Sequence, residues 1–166
     1  MWTGHYSFET QSTPGDVCCS SDCGGWGGGV WSDALITPAS SGYTGIVWTM
    51  PYNGYHAIVG LTTLGSIGSY THFTHAVYYR SGNDCYSIAD GTWGTPCVVS
   101  CYNNPATEWK IQAVSASSLA FSYKCPGSAW VVWMSQSWNG QPLRAAVDIY
   151  TSKSDCLHGP RGMAWI

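Results

Sequence analysis

From residue 29 onward, apolar and polar side chains alternate in short runs, the period-two pattern of half-buried strands. Gly45 to Met50 sets Ile46, Trp48 and Met50 against Val47 and Thr49, and Pro51-Tyr52-Asn53-Gly54 then reads as a hairpin turn. Tyr55 to Thr63 alternates Tyr55, Ala57, Val59 and Leu61 against His56, Ile58 and Gly60, before a Gly/Ser-rich loop over 64–70. His75 to Arg80 and Cys85 to Ala89 are the next strands, turned by 81–84 and closed by Asp90-Gly91. Glu108 to Val114, Ser118 to Lys124 and Leu143 to Thr151 continue the series, with turns at Cys125-Pro126-Gly127-Ser128 and Asn139-Gly140. Trp130 to Ser135 is nearly all apolar, which predicts a strand buried on both faces.

Eight or nine strands with turn signals about every 8 to 12 residues predict an all-β antiparallel sandwich or jelly roll. No segment sustains a helical period. Residues 1–28 lack clear periodicity, hold three Cys and end in the run Gly24-Gly25-Trp26-Gly27-Gly28-Gly29. They read as an irregular, disulfide-tied N-terminal arm, and 29–166 as the sandwich domain.

Composition narrows the function. Of 166 residues only 9 % are charged, and the net charge is -3. Such a chain is not built to neutralise a phosphate backbone, which argues against nucleic acid as a partner. No run approaches the roughly 18 to 20 apolar residues of a membrane-spanning helix. Apolar residues at 45 % argue against disorder.

The eight cysteines are Cys18, Cys19, Cys23, Cys85, Cys97, Cys101, Cys125 and Cys156. An even number in a charge-poor, aromatic-rich chain reads as a disulfide framework, of which about 105 pairings are possible. Structural zinc is the weaker reading, because no C-x-x-C knuckle and no His pair at finger spacing are present. The framework predicts an extracellular, secreted protein. Met1 to His5 is neither basic nor apolar, so no leader is read there, and the expectation is a mature or recombinant form.

The middle of the chain resembles the concanavalin-like β-sandwich shared by laminin-G-like, SPRY-like and lectin-like extracellular domains. Tyr43 to Met50 opens the ordered run, and Ala57 to Thr63 resembles the "fGlst" strand of such modules. Ser69 to Tyr79 resembles their "Y-x-x-I-D-Y-A-I-Y" stretch, and Tyr86 to Gly91 is similar to "l-x-I-y-E-x-G". Trp109-Lys110-Ile111 and Phe121 to Val132 resemble the "V-r-V" strand and the following hairpin. The resemblance spans about residues 29–152. Thr74 stands where the family has an acid, and Lys124-Cys125-Pro126-Gly127 replaces its N-K-D-G-type turn. What the resemblance implies is the fold, since such folds host many functions.

Catalytic signatures are missing. No pair of carboxylates is advertised; most of the nine acids sit at turns or in the arm, and only Glu108 and Asp148 begin or occupy strands. There is no G-x-S-x-G elbow, and Cys156 and His158 are too close in sequence to face each other. His72 and His75 would point to different faces of a strand, so no metal set and no cofactor site is read. The expectation is a protein that is not an enzyme.

The aromatic surplus is the positive signal. A sandwich of this size needs about five or six large aromatics for its core, and the chain has 10 Trp, 11 Tyr and 3 Phe. Those that reach the surface are recognition anchors, and loops are where a sandwich presents them. The candidates are Tyr52, Tyr55, Tyr70, Trp93, Tyr102 and Trp138. They predict a carbohydrate-binding, lectin-like module whose partner is a glycan. The alternative is a structural subunit of an extracellular filament, coat or matrix, whose partners are other copies of itself, because so little charge leaves little protection against self-association.

Overall fold

The computed structural model describes residues 2–4, 8–10, 17–19, 29–37, 44–49, 56–65, 67–80, 84–102, 104–150, 156–157 and 164–166. Among them, three short strands lie in the N-terminal segment: β1 (Trp2–Gly4), β2 (Phe8–Thr10) and β3 (Val17–Cys19). The body comprises β4 (Gly29–Ile36), β5 (Gly45–Thr49), β6 (His56–Thr62), β7 (His75–Arg80), β8 (Asp84–Ala89), β9 (Thr92–Pro96), β10 (Glu108–Ser115), β11 (Ser118–Lys124), β12 (Val131–Ser137) and β13 (Leu143–Tyr150). Two short strands follow, β14 (Cys156–Leu157) and β15 (Ala164–Trp165), and the one described helix is a 3-10 turn at Tyr70–His72.

The strands form a seven-stranded sheet in the order β1-β4-β13-β6-β7-β8-β9 and a five-stranded sheet in the order β12-β11-β10-β5-β15. A three-stranded sheet, β14-β3-β2, sets Cys18 opposite Cys156. Alternation decides what each sheet buries. Ala57, Val59 and Leu61 of β6, with Val77 and Tyr79 of β7, meet Ile46, Trp48, Trp109, Ile111, Leu119 and Phe121 of the opposite sheet in one buried cluster. Ile58, Ala76, Tyr78 and Ile88 occupy the intervening positions and point to the other face of the seven-stranded sheet. There Ile67 and Phe73 of the β6–β7 connection cover part of them in a second cluster. The architecture is therefore an antiparallel β-sandwich with an additional apolar layer outside one sheet.

Two turns have the chemistry expected of them. Asp90 and Gly91 both have positive φ, 47° and 71°, which makes the β8–β9 connection a type I′ hairpin. In the β11–β12 connection Pro126 precedes Gly127 at φ 77°, and Ser128 N donates to Cys125 O at 2.9 Å, a type II turn. The Asn53-Gly54 turn lies outside the described residues.

One expected environment is wrong. The apolar run at 130–135 belongs to β12, which is the edge of its sheet rather than a doubly buried strand. Val131 and Val132 are 45 % and 63 % exposed. Hydrophobicity along the chain cannot distinguish a central from an edge strand, because that depends on which strand pairs beside it.

Among the described residues, two disulfides staple the body. Cys85–Cys97 ties β8 to the end of β9, and Cys101–Cys125 ties the β9–β10 connection to the start of the β11–β12 turn. The side chains of Cys18, Cys19, Cys23 and Cys156 lie outside the described residues.

Candidate functional site

The second cluster is only partly covered, and its open side is aromatic. β7 and β8 place Tyr78 directly opposite Tyr86, and β9 places Trp93 beside Ile88 on the same face. The Trp93 indole stands edge-on to Tyr78 with centroids 4.6 Å apart, 5.3 Å from Tyr86 and 6.0 Å from Tyr70 on the 3-10 turn. Trp93 is 43 % exposed, Tyr70 and Tyr86 are half-buried, and Tyr78 is buried beneath them. The Tyr78 hydroxyl meets His56 Nδ1 at 2.7 Å. Burial, and then the nearby Arg80 guanidinium, lower the His56 pKa, so its ring is neutral at neutral pH.

On the opposite side of the seven-stranded sheet, the side that faces β12, the β8–β9 turn borders a polar cavity. Asp90 N donates to Thr74 O at 2.8 Å and Gly91 N to Phe73 O at 2.9 Å. The cavity, of about 100 Å³, is lined by Thr74, His75, Asp90, Ser137 and Asn139. His75 is its buried member, with Nδ1 2.8 Å from Gln136 Oε1. Burial lowers the His75 pKa, against smaller upward effects of the Gln136 hydrogen bond and the Asp90 charge. Asp90, Ser137 and Asn139 are exposed, so the cavity opens to solvent. The aromatic platform suits a ligand with an apolar face, and the cavity across the sheet offers separate hydroxyl, amide and carboxylate groups.

Of the aromatics expected on loops, Tyr70 and Trp93 come together here. Tyr102 is half-buried and packs against the sandwich core beside the Cys101–Cys125 bridge. Trp138 corrects the expectation: it is 3 % exposed, and its Nε1 donates to Gln141 O at 2.9 Å. Its ring closes one end of the core, and the local hydrogen bond satisfies its only polar atom. Tyr52 and Tyr55 lie outside the described residues.

Tyr78, Tyr86 and His56 were not expected at the site. The signal for them was available in the alternation: if Val77 and Cys85 point inward, Tyr78 and Tyr86 must point out. The pair His72 and His75 takes separate partners, His72 Nδ1 accepting from Gly68 N at 3.1 Å. Among the described residues no three metal-ligating side chains gather. Of the carboxylates on strands, Glu108 bridges Lys124 at 2.8 Å and Asp148 is fully buried.

No family model matches the sequence, and no curated protein matches it. The fold does have solved relatives. The exoplasmic/lumenal domain of VIP36, in its Ca2+/Man3GlcNAc-bound form, superposes with a TM-score of 0.63 at 11 % identity, covering 98 % of this chain and 81 % of that one. The SPRY domain of human HERC1 gives 0.59 at 15 % identity, over 90 % and 88 % of the two chains. The metal-free carbohydrate recognition domain of Emp46p gives 0.58 at 11 % identity, over 94 % and 84 %. The chain therefore has the concanavalin-like, lectin-like β-sandwich fold that its strand motifs resemble.

Proposed function

We propose that the protein is a non-enzymatic recognition module that binds a glycan on the face built by Trp93, Tyr70 and Tyr86. The observation that carries this reading is the half-exposed Trp93 indole held by three tyrosines on the outer face of the seven-stranded sheet. A sugar presents C–H groups to an aromatic face, and Trp93 with its tyrosines offers such a face. Two structures with this fold are described as carbohydrate recognition domains, which supports the reading without assigning a ligand. The disulfides Cys85–Cys97 and Cys101–Cys125 fit a secreted or lumenal protein, because such bonds persist in oxidising compartments. The test is a glycan array probed with the oxidised protein and with Trp93→Ala. Signal on some glycans that Trp93→Ala loses supports the reading; no glycan signal, or signal indifferent to Trp93, sinks it.

One observation favours the second reading, a subunit that assembles with copies of itself. β12 is a sheet edge with exposed Val131 and Val132, and no charged side chain stands between Lys124 and Arg144. Edge strands ordinarily carry charge or proline against such pairing. Light scattering over a concentration series separates the two: a monomer at all concentrations removes the assembly reading.

A further inference from the structure

The cavity lies at the Asp90-Gly91 turn on the side of the sheet away from the aromatic face, and its hydrogen-bond pattern is more restrictive than its lining suggests. Gln136 Nε2 donates to Ile88 O at 3.2 Å, which orients the amide and leaves Oε1 facing His75 Nδ1 at 2.8 Å. A carbonyl oxygen can only accept, so Nδ1 carries the proton. Burial keeps the ring neutral, and with the proton on Nδ1 the other ring nitrogen, Nε2, is an acceptor. Asn139 Oδ1 accepts from Gln141 N at 3.0 Å, so the amide group it has to offer is the donor Nδ2. Thr74 Oγ1 already accepts from Thr63 N at 3.3 Å. Asp90 contributes an accepting carboxylate, and no cationic side chain lines the cavity.

Two fixed acceptors and one fixed donor match hydroxyl groups, each of which both donates and accepts. The cavity, of about 100 Å³ and open to solvent, can receive an edge of a sugar ring. Asp90 repels an anionic ligand. We propose that this cavity anchors two neighbouring hydroxyls of an uncharged sugar, with Asp90 and His75 Nε2 accepting and Asn139 Nδ2 donating. In this arrangement Gln136 is the positioning residue that sets His75 in its accepting tautomer. The inference rests on the glycan reading above and adds to it a polar subsite across the sheet from Trp93.

The test uses the full chain, oxidised and labelled with nitrogen-15, and reads the His75 ring by long-range proton–nitrogen correlation. The expected wild-type tautomer is Nδ1–H, and Gln136→Met shifts it toward Nε2–H with the fold retained. Methyl glycosides of glucose, mannose and galactose are then titrated, with methyl glucuronoside as the acidic probe. At least one neutral glycoside should move the His75 Nε2 signal, and the glucuronoside should not. Asp90→Asn, chosen because Asn tolerates the positive φ of this turn position, and Asn139→Ala should each weaken binding about tenfold or more. Gln136→Met should weaken it in parallel with the tautomer change. An Nε2–H ring in the wild type overturns the proposal. So does binding that requires Trp93 but is unchanged in Asp90→Asn and Asn139→Ala, an outcome that leaves the aromatic platform standing. No response to any neutral glycoside, together with a silent glycan array, overturns both.

Discussion

Trp93 and Tyr78 meet edge to face with ring centroids 4.6 Å apart, one half-exposed on the sheet surface and the other buried below it. This pair decides the orientation of the indole. Tyr78 is itself held by the 2.7 Å contact of its hydroxyl with His56, so the platform is fixed from beneath before any ligand arrives. A preorganised ring loses little freedom on binding.

Replacing Trp93 by Ala should therefore abolish glycan binding while costing about 2–4 kcal/mol of stability, the scale of its aromatic pair contacts with Tyr70, Tyr78 and Tyr86. Urea unfolding followed beside array binding checks both halves. A loss of binding that merely tracks a loss of fold would count against a recognition role.

Trp138 should behave in the opposite way. It closes one end of the core and is almost fully buried. Trp138→Ala should cost about 3–5 kcal/mol, read as a fall in the urea midpoint. Its effect on glycan affinity, measured where the variant is still folded, should be small beside that of Trp93→Ala.

The Cys101–Cys125 bridge spans a sequence separation of 24. Replacing both cysteines by Ala should lower stability by about 3 kcal/mol through the freed unfolded chain. Thermal unfolding of the double variant, compared with wild type at matched oxidation of the remaining cysteines, gives the number.

Burial lowers the pKa of both His75 and His56 below the ordinary 6.5. The unfolded chain then binds protons that the folded chain refuses. Stability should be fully present above about pH 6.5 and fall as the pH drops toward the folded-state values, below which the slope vanishes. Urea unfolding between pH 7.5 and pH 5 measures the slope. His75→Gln should remove the His75 share of it; an unchanged slope would show that His75 is not held neutral.

At the β12 edge, Val132 is 63 % exposed and a charge there costs the fold little, within about 0.5 kcal/mol. If copies associate through this edge, Val132→Lys should lower the apparent mass in light scattering, because a charge blunts strand pairing. Association that survives the change lies elsewhere on the surface.

The strand pattern was legible because alternation is a local property. Ser118–Lys124 and His75–Arg80 match their expected bounds, and Asp90-Gly91 forms the turn its chemistry requires. Short strands such as Thr92–Pro96 escaped, since all five residues are exposed and no apolar rhythm marks them. Tyr70 was legible from its place in a connection, where surplus aromatics turn outward; Trp93, expected on the same ground, lies on β9 instead. Trp138 was not, because its place at the end of the core and its bond to Gln141 depend on how two sheets close around it.

What the sequence determined by itself was the class: an all-β, disulfide-stapled sandwich, written in period-two hydrophobicity, turn residues and cysteine number. The tertiary structure decided which faces and edges those strands would present. Strand order made β12 an edge and exposed its valines. Register set Tyr78 opposite Tyr86 and brought Trp93 and Tyr70 onto them, and it carried His75, Asp90 and Asn139 from three separate segments to one cavity. The physical reason is that propensity and alternation act between chain neighbours, whereas a binding site is made by pairings between residues far apart in the chain, settled only when the two sheets pack.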